Sequence, residues 1–405
     1  MTQQQIQKTD EYKICHKCLK RIYPNKQRRQ NAIIPTIKEG EVCDLCGNVM
    51  LHLDKIFDMI KHKIEILGVT FNSALIAAKI SDNDILKQER AIHKKAPYFG
   101  KNNLRNQIKY EMCDMLKSEL NKTIDYDNPE VVIMVKLRSK PYDNPLHEEV
   151  AGVSVFIDVN PLFIEGKYCK YERGIPQTKW PCSKCKGHGC DACDHTGQQY
   201  KRTVEGLIAK PALEMTNGSE SKFHGSGRED IDVLMLGEGR PFVLEIKHPF
   251  NRIIDLDELQ ERINTENVGS VSVNSLKFTT KERKAEVKNS STESYKVYSA
   301  IAEFENGVTS NDIAKIEKLE IINQQTPQRV MHRRADLVRQ RSIYSLEVER
   351  INSKKLRLQI KCQGGLYIKE LISGDDGRTQ PNVSSITGNK ALCTQLDVIE
   401  VHIPE

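Results

Sequence analysis

Eight of the twelve cysteines in this chain form two sets of paired Cys-x-x-Cys motifs, which constrain the fold more than any other feature. The first set is Cys15, Cys18, Cys43 and Cys46, and the second is Cys182, Cys185, Cys190 and Cys193. Each motif places two thiolates on one tight turn, and two such motifs complete a tetrahedral Zn²⁺ shell. We therefore expect one or two structural zinc ions, bound either set by set or by one motif from each set. A shell of four cysteines leaves no open coordination position, so these sites predict scaffolding rather than catalysis.

The composition argues against a membrane protein. No apolar run in the 405 residues approaches the roughly 20 that cross a bilayer, and the N-terminus does not have the pattern of a signal peptide. We therefore expect a soluble, cytoplasmic protein, in which cysteines bind metal more often than they form disulfides. The net charge of +6 permits a phosphate-rich partner without requiring one.

Hydrophobic periodicity divides the chain into four regions of an α+β protein. The predicted regions are a zinc knuckle at 1–50, an α+β domain at 51–177, a second knuckle at 178–199 and a strand-rich domain at 200–405. The second region is expected to be helical to about 125, with a helix at 104–120, and then to form strands at 131–135 and 153–159. The last region is expected to carry helices near 255–265, 310–318 and 366–373, and a mobile polar loop at 281–293.

A cluster of charges precedes one strand of the last region. Gly225 and Gly227 loosen the backbone just before an apolar alternating run, so the cluster lies where a loop becomes a strand. Its members are Arg228, Glu229, Asp230 and Asp232. Catalytic carboxylates are common at such places, because the scaffold is rigid and the loop is reachable. The alternative is an edge strand protected by charges.

Three further segments carry residues that suit the same candidate site. Residues 295–302 form a predicted strand that carries Tyr298, and residues 325–341 contain five arginines, a density that suits phosphate contacts. Residues 362–372 combine a strand, a glycine pair and the start of a helix.

Together, these segments contain the strings GSGREDIDV, KVYSA, TPQRVMHRRAD and GGLYIKELISGDDGRTQP. They closely resemble archaeal tRNA pseudouridine synthases of the Pus10 type. The N-terminal half resembles the THUMP-containing RNA-binding region of that family, most closely at 160–166 and 173–180. One departure is Asn382, where the family is expected to have serine after the proline.

The resemblance implies a fold and an activity. The C-terminal domain should have the pseudouridine synthase fold, a mixed and largely antiparallel sheet with flanking helices, preceded by a THUMP-like α+β domain. The activity would convert uridine-54 and uridine-55 in the T-arm loop of tRNA to pseudouridine. Because the reaction loses no atoms, no organic cofactor is expected. The partner would be tRNA, with no membrane and no obligate protein partner.

The resemblance also assigns roles to residues. Asp230 matches the catalytic aspartate, and Tyr298 and Tyr367 match the substrate-binding tyrosines. Lys369 or Arg228 is expected to pair with Asp230 and fix its rotamer, although Arg228 can instead help to displace the base. The arginines expected to contact phosphate rather than form a surface ion-pair network are Arg329, Arg333 and Arg334.

Two other function classes remain open at this point. Asp232, Glu245 and Lys247 fit the loose D…E-x-K pattern of metal-dependent nucleases, provided that Gly237–Gly239 forms a hairpin turn that brings the carboxylates opposite each other. A non-catalytic tRNA-binding protein would explain the knuckles and the basic clusters, such as Lys20, Arg21, Lys26, Arg28 and Arg29 between the first two cysteine pairs. It would not explain Asp230 at the start of its strand.

Overall fold

The computed structural model describes residues 12–23, 36–95, 103–138, 152–289 and 294–402. The chain divides into two compact units, Met1–Pro161 with His248–Ile253 and Leu162–Lys247 with Ile254–Glu405. The sequence placed the end of the N-terminal domain at 177, whereas the units divide after Pro161. The physical reason is the strand Leu162–Lys170, whose backbone pairs on both sides with strands of the second unit.

The described part of the first unit combines α-helices with a four-stranded sheet. The helices are α1 (His16–Ile22), α2 (Leu53–Leu67), α3 (Asn83–Lys95) and α4 (Leu104–Leu120), and the strands are β1 (Ser73–Ile80), β2 (Thr123–Ile124), β3 (Val131–Leu137) and β4 (Val153–Val159). The sheet order is β2-β1-β3-β4, with β4 antiparallel to β3 and the other pairs parallel. The predicted helix at 104–120 and the strands at 131–135 and 153–159 are confirmed.

Strand β1 corrects the prediction that 51–125 is helical throughout. Ala74, Ile76 and Ala78 are buried at every second position, which is the period of a strand. The alanines have a high helix propensity, and tertiary packing overrides it here. The parallel pairing with β3 supplies the backbone hydrogen bonds that a helix would have made internally.

The second unit is built on a ten-stranded sheet. Its strands are β5 (Leu162–Lys170), β6 (Glu220–Gly225), β7 (Leu234–Lys247), β8 (Val271–Thr279), β9 (Tyr295–Phe304), β10 (Ile321–Gln325), β11 (Val338–Arg350), β12 (Lys355–Gln363), β13 (Thr379–Gln380) and β14 (Ala391–Val401). The order is β13-β10-β11-β12-β9-β14-β7-β5-β8, with β6 also paired to β7. All pairs are antiparallel except β14 with β7, so the predicted mixed, largely antiparallel sheet is confirmed.

Helices flank this sheet. They are α5 (Val204–Thr216), α6 (Leu256–Glu266), α7 (Lys281–Asn289), α8 (Ser310–Ile316), α9 (Ile368–Ser373) and α10 (Val383–Thr387). Helices α6, α8 and α9 confirm the predicted helices near 255–265, 310–318 and 366–373. At α8, Thr309 is the N-cap and Asp312 closes a capping box with it. Within the described ranges, none of the helices combines the length and apolarity that a bilayer crossing needs.

The prediction of a mobile loop at 281–293 is wrong for 281–289, which forms helix α7. Arg283 pairs with Glu165, and Lys284 pairs with Glu245. Val287 is buried. Tertiary ion pairs therefore fix a sequence whose local polarity is typical of a loop, and residues 290–293 lie outside the described part of the chain.

Candidate active site

A cavity of about 320 Å³ lies in the second unit beside the charged cluster. Six of the sequence-predicted residues line it together: Arg228, Asp230, Tyr298, Arg329, Arg334 and Tyr367. The rest of the lining is apolar or charged: Val233, Leu366, Ile368, Leu396, Val398, Glu229 and Arg240. Apolar walls suit a flat ring, and the arginines suit an anion.

Buried side chains hold the backbone of the loop that carries Asp230. Arg240 Nη1 donates a hydrogen bond to the Ser226 carbonyl at 2.8 Å, and Gln177 Nε2 donates to the Gly227 carbonyl at 3.1 Å. Gly227 has a φ of 75°, in the left-handed region that favours glycine. The glycine therefore permits a turn whose carbonyl groups face the interior.

Lys170 holds the next part of the same loop. Its Nζ is buried and donates to the carbonyl groups of Asp230 at 3.2 Å and Ile231 at 3.1 Å. The main chain at Asp230 is thus held from the buried side while the side chain faces the cavity. Such support keeps a reactive carboxylate in one place.

Two cations orient the Asp230 carboxylate. Arg329 Nη1 lies 2.8 Å from Asp230 Oδ2, and Lys369 Nζ lies 3.6 Å from the same oxygen. Lys369 also pairs with Asp232 at 2.7 Å. Arg329 is fixed in turn by Glu370, whose Oε1 accepts from Arg329 Nε at 2.6 Å. Of the two partners that the sequence offered for Asp230, Lys369 makes an ion pair, and Arg329 is an additional one.

Tyr298 lies on β9, half-buried and packed against the core. Burial raises the pKa of Tyr298 well above its usual value, and the neighbouring Cys362 adds to this. The phenol is therefore protonated at neutral pH. It can donate a hydrogen bond to a substrate in the cavity, but it is not a ready-made phenolate base.

Tyr367 precedes helix α9 and is held through its backbone. Its N–H donates to Gln324 Oε1 at 2.8 Å, and its carbonyl group accepts from Gln324 Nε2 at 3.0 Å. The guanidinium of Arg329 lies 5.8 Å from the centroid of the Tyr367 ring. The buried Gln324 thus fixes the position of the second aromatic ring of the site.

The other predicted arginines have different surroundings. Arg228 is exposed, and its guanidinium lies 4.9 Å from the ring centroid of Trp180. Arg334 is exposed and lines the cavity. The side chain of Arg333 lies outside the described part of the chain. Arg329, predicted to contact RNA, makes ion pairs with Asp230 and Glu370, and its contact with RNA stays a prediction.

Sequence reasoning missed several supporting residues, namely Lys170, Gln177, Arg240, Gln324 and Glu370. Glu370 lies within a string that carried the resemblance, so its neighbourhood was a usable signal. Lys170 and Arg240 look like ordinary surface cations in the sequence. Only the three-dimensional pairing shows that both are buried under the loop.

The facing carboxylates required by the nuclease alternative are absent, and that prediction is wrong. Strand β7 runs continuously from Leu234 to Lys247, so Gly237–Gly239 is not a hairpin turn. Asp232 therefore lies two residues before this strand, whereas Glu245 lies near its far end. Glu245 is paired with His224 and Lys284, each at 2.9 Å.

The cysteine sets form two separate groups. In each set the four sulfur atoms lie within 4.8 Å of one another. Backbone amides donate to the sulfurs, as from Cys15 N to Cys43 Sγ at 3.2 Å and from Gly189 N to Cys185 Sγ at 3.2 Å. Clustered thiolates that accept such bonds fit one tetrahedral metal ion per set.

A carboxylate that is reachable from the cavity yet fixed by two cations is suited to chemistry rather than to stability. The fold and the cavity therefore make the second unit the candidate catalytic part of an enzyme. Residues 163–402 match the family model described as "Pus10, C-terminal", and the chain belongs to the Pus10 family. The family indicated by the sequence strings is thereby confirmed.

The relatives extend the match over the whole chain. A protein of Methanosphaera stadtmanae named tRNA pseudouridine synthase Pus10 is 60% identical over 397 residues, which are 98% of each chain. The protein of that name from Methanothermobacter marburgensis is 44% identical, over 97% of this chain and 96% of that one. Among solved structures, a Cbf5-Nop10-Gar1 complex covers 58% of this chain and 48% of that one, with 14% identity and a TM-score of 0.31.

Proposed function

We propose that this protein converts uridine-54 and uridine-55 in the T-arm loop of tRNA to pseudouridine, with Asp230 as the catalytic residue. Family membership supports the reaction class, because the relatives are named tRNA pseudouridine synthases. The observation that carries the proposal is the placement of Asp230. Its backbone is held from the interior, and its carboxylate meets two cations beside Tyr298 and Tyr367.

The reaction makes limited demands on the protein. The C1′–N1 glycosidic bond breaks, the uracil turns, and a bond forms between C1′ and C5. The hydrogen lost from C5 is balanced by the hydrogen gained at N1, so no oxidant, reductant or organic cofactor takes part. A carboxylate that acts on the sugar or the base is required. Asp230 and Glu229 both line the cavity, but Glu229 is buried and paired with Arg240, so Asp230 is the candidate.

The cavity fits a uridine that has left its stack. The tyrosine rings and the apolar lining give the extruded base a surface to pack against. Arg228 and Arg334 bring positive charge to the same cavity, where the phosphates of the flipped nucleotide would lie. The first unit and the knuckles would bind folded tRNA through its backbone and shape, because A-form helices offer little base readout. Since tRNA is the substrate, we place the protein in the cytoplasm.

Tyr298→Phe should slow turnover by roughly 10²-fold and leave tRNA affinity nearly unchanged, because it removes a proton donor but keeps the ring. The measurement is single-turnover pseudouridine formation on an unmodified transcript. Tyr295→Phe is a matched control, since Tyr295 lies on the same strand but bonds to Glu400 and does not line the cavity. Unchanged kinetics in the Tyr298 variant would limit this residue to stacking.

The two cysteine sets should each hold one structural zinc ion, so metal analysis of the purified protein should give about two zinc ions per chain. Stripping the metal should lower the melting temperature and weaken tRNA binding, because the knuckles lose their internal cross-link. Cys43→Ser and Cys190→Ser should each remove one ion, whereas Cys393→Ser should remove none. Metal content near zero in the purified protein would refute both zinc sites.

The direct test of the proposed function is incubation with an unmodified tRNA transcript, with and without EDTA, followed by position-resolved mapping of pseudouridine. New pseudouridine at both T-loop positions without added metal is the expected result. A transcript that is bound but unmodified would instead identify a tRNA-binding protein without catalytic activity.

A further inference from the structure

Four charged side chains are buried beneath the loop that carries Asp230. Three are cations: Lys170, Arg240 and Lys296, with relative exposures of 0%, 1% and 6%. The anion is Glu229, with an exposure of 5%. We refer to these four residues as the buried charge layer.

The carboxylate of Glu229 already has partners within the second unit. Both oxygens of Glu229 accept from the Tyr168 hydroxyl at 2.8 Å, and Arg240 Nε lies 2.9 Å from Glu229 Oε2. Lys170 is satisfied by three backbone carbonyl groups. Within the described ranges, no carboxylate lies at ion-pair distance from Lys296. When all of its cations are charged, the layer therefore holds two more cations than carboxylates.

Lys296 is in close contact with the catalytic loop. It lies two residues before Tyr298 on β9, so the two side chains leave the same face of the strand. A Cβ atom built on Gly227 would lie 2.8 Å from Lys296 Nζ and 3.3 Å from Arg240 Nη1. Both cationic ends thus approach the same point of the loop, where the φ of 75° at Gly227 also disfavours a side chain.

This environment disfavours the charged ammonium. Burial lowers the pKa of Lys296 to about 7, and the adjacent Arg240 on β7 acts in the same direction. Arg334 also opposes the charge, whereas Glu229 in the loop and Cys362 on β12 favour it. The apolar neighbour Val401 on β14 adds no charge. In the free protein above neutral pH, Lys296 is therefore mostly neutral.

We propose that Lys296 is a positioning residue that takes up a proton when the RNA backbone occupies the neighbouring cavity, because the negative charge of the RNA offsets part of the excess positive charge of the buried layer. The link runs through Arg240, which lines the cavity and also reaches Gly227. An RNA phosphate in the cavity that Arg240 lines adds negative charge close to the layer. The inference rests on the proposed function, because that function identifies the anion as RNA.

Thermodynamic linkage between proton binding and RNA binding sets the direction in which tRNA affinity changes with pH. An anion in the cavity favours the charged ammonium, so the complex binds more protons than the free protein and the free RNA together. Affinity should therefore fall as the pH rises above about 7. A charged ammonium against the loop would also fix the Asp230 backbone most firmly when substrate is present.

The experiment is calorimetry of the full chain with an unmodified tRNA transcript at about pH 8, in phosphate and Tris buffers of equal ionic strength. The dependence of the binding enthalpy on the ionisation enthalpy of the buffer counts the protons. We expect an uptake of about half a proton per complex for the original protein, because a group that titrates near 7 is mostly neutral at that pH before binding. Isomerisation itself is proton-neutral and does not contribute.

Lys296→Met should lose this uptake, while Lys318→Met, which changes an exposed lysine outside the cavity, should keep it. No uptake in the original protein, or equal uptake in Lys296→Met, would overturn the inference. If Lys296→Met does not fold, the inference is tested by the pH dependence of the dissociation constant of the original protein for tRNA. A dissociation constant that stays constant between about pH 7 and 9 would refute the inference.

Pseudouridine mapping on the same samples tests the proposed function separately. Isomerisation without proton uptake would refute only the inference about Lys296. Proton uptake without isomerisation would refute only the proposed pseudouridine synthase activity.

Discussion

Asp230→Asn should abolish pseudouridine formation while tRNA binding stays within a few-fold of the original. Asparagine keeps the size of the side chain but can neither attack as a carboxylate nor accept a proton at neutral pH. The expected loss of single-turnover rate is roughly 10⁴-fold or more, as for the removal of a group that takes part in the bond changes. Quantitative mapping of pseudouridine and a separate binding titration would measure the two effects.

Asp232→Asn is the matched control for this prediction. Asp232 lies two residues further on and pairs with the same Lys369, but its side chain is largely exposed and it does not line the cavity. Its replacement should cost far less activity, at most about tenfold, through a small shift of Lys369. Substantial turnover in Asp230→Asn, or an equal loss in both variants, would remove Asp230 from the catalytic role.

The location of the site could be predicted from the sequence because its signals are local. The glycines and acids of 225–233 identify a loop that becomes a strand, and the structure places Asp230 there. The prediction that Tyr298 and Tyr367 lie at the same cavity rested on the strings shared with the family, because the two residues lie on different elements. The local sequence pattern therefore located the candidate carboxylate, and the family resemblance located the two tyrosines that line the same cavity.

The supporting contacts could not be predicted, because they depend on pairings between distant segments. Arg329 bonds to Glu370 across 41 residues of sequence, and the composition of its segment indicated phosphate contacts instead. Burial of Lys170 and Lys296 follows from the order of strands in the sheet, which no sequence period reports. The unit boundary has the same cause, because the backbone of β5 pairs with β7 and β8 of the second unit.

The paired variants of Arg329 and Glu370 separate catalysis from stability. Arg329→Met should slow turnover by roughly 10²-fold, because Asp230 loses its shortest cationic contact. It should also lower the free energy of unfolding by about 1–3 kcal/mol, because the Glu370 carboxylate, 4% exposed, loses its charged partner. Thermal melting and single-turnover kinetics would measure the two losses independently.

Adding Glu370→Gln to Arg329→Met should recover most of the stability and almost none of the activity. The neutral amide no longer has a buried charge to neutralise, whereas Asp230 still lacks its orienting guanidinium. Arg334→Met is the control, since Arg334 lines the cavity but has an exposed side chain, so its loss should weaken tRNA binding without destabilising the fold.

If the double variant regained full turnover, the contribution of Arg329 would be the neutralisation of Glu370 and not the orientation of Asp230. Retained stability in Arg329→Met alone would show that Glu370 finds another partner, and the ion pair would then be incidental to the fold.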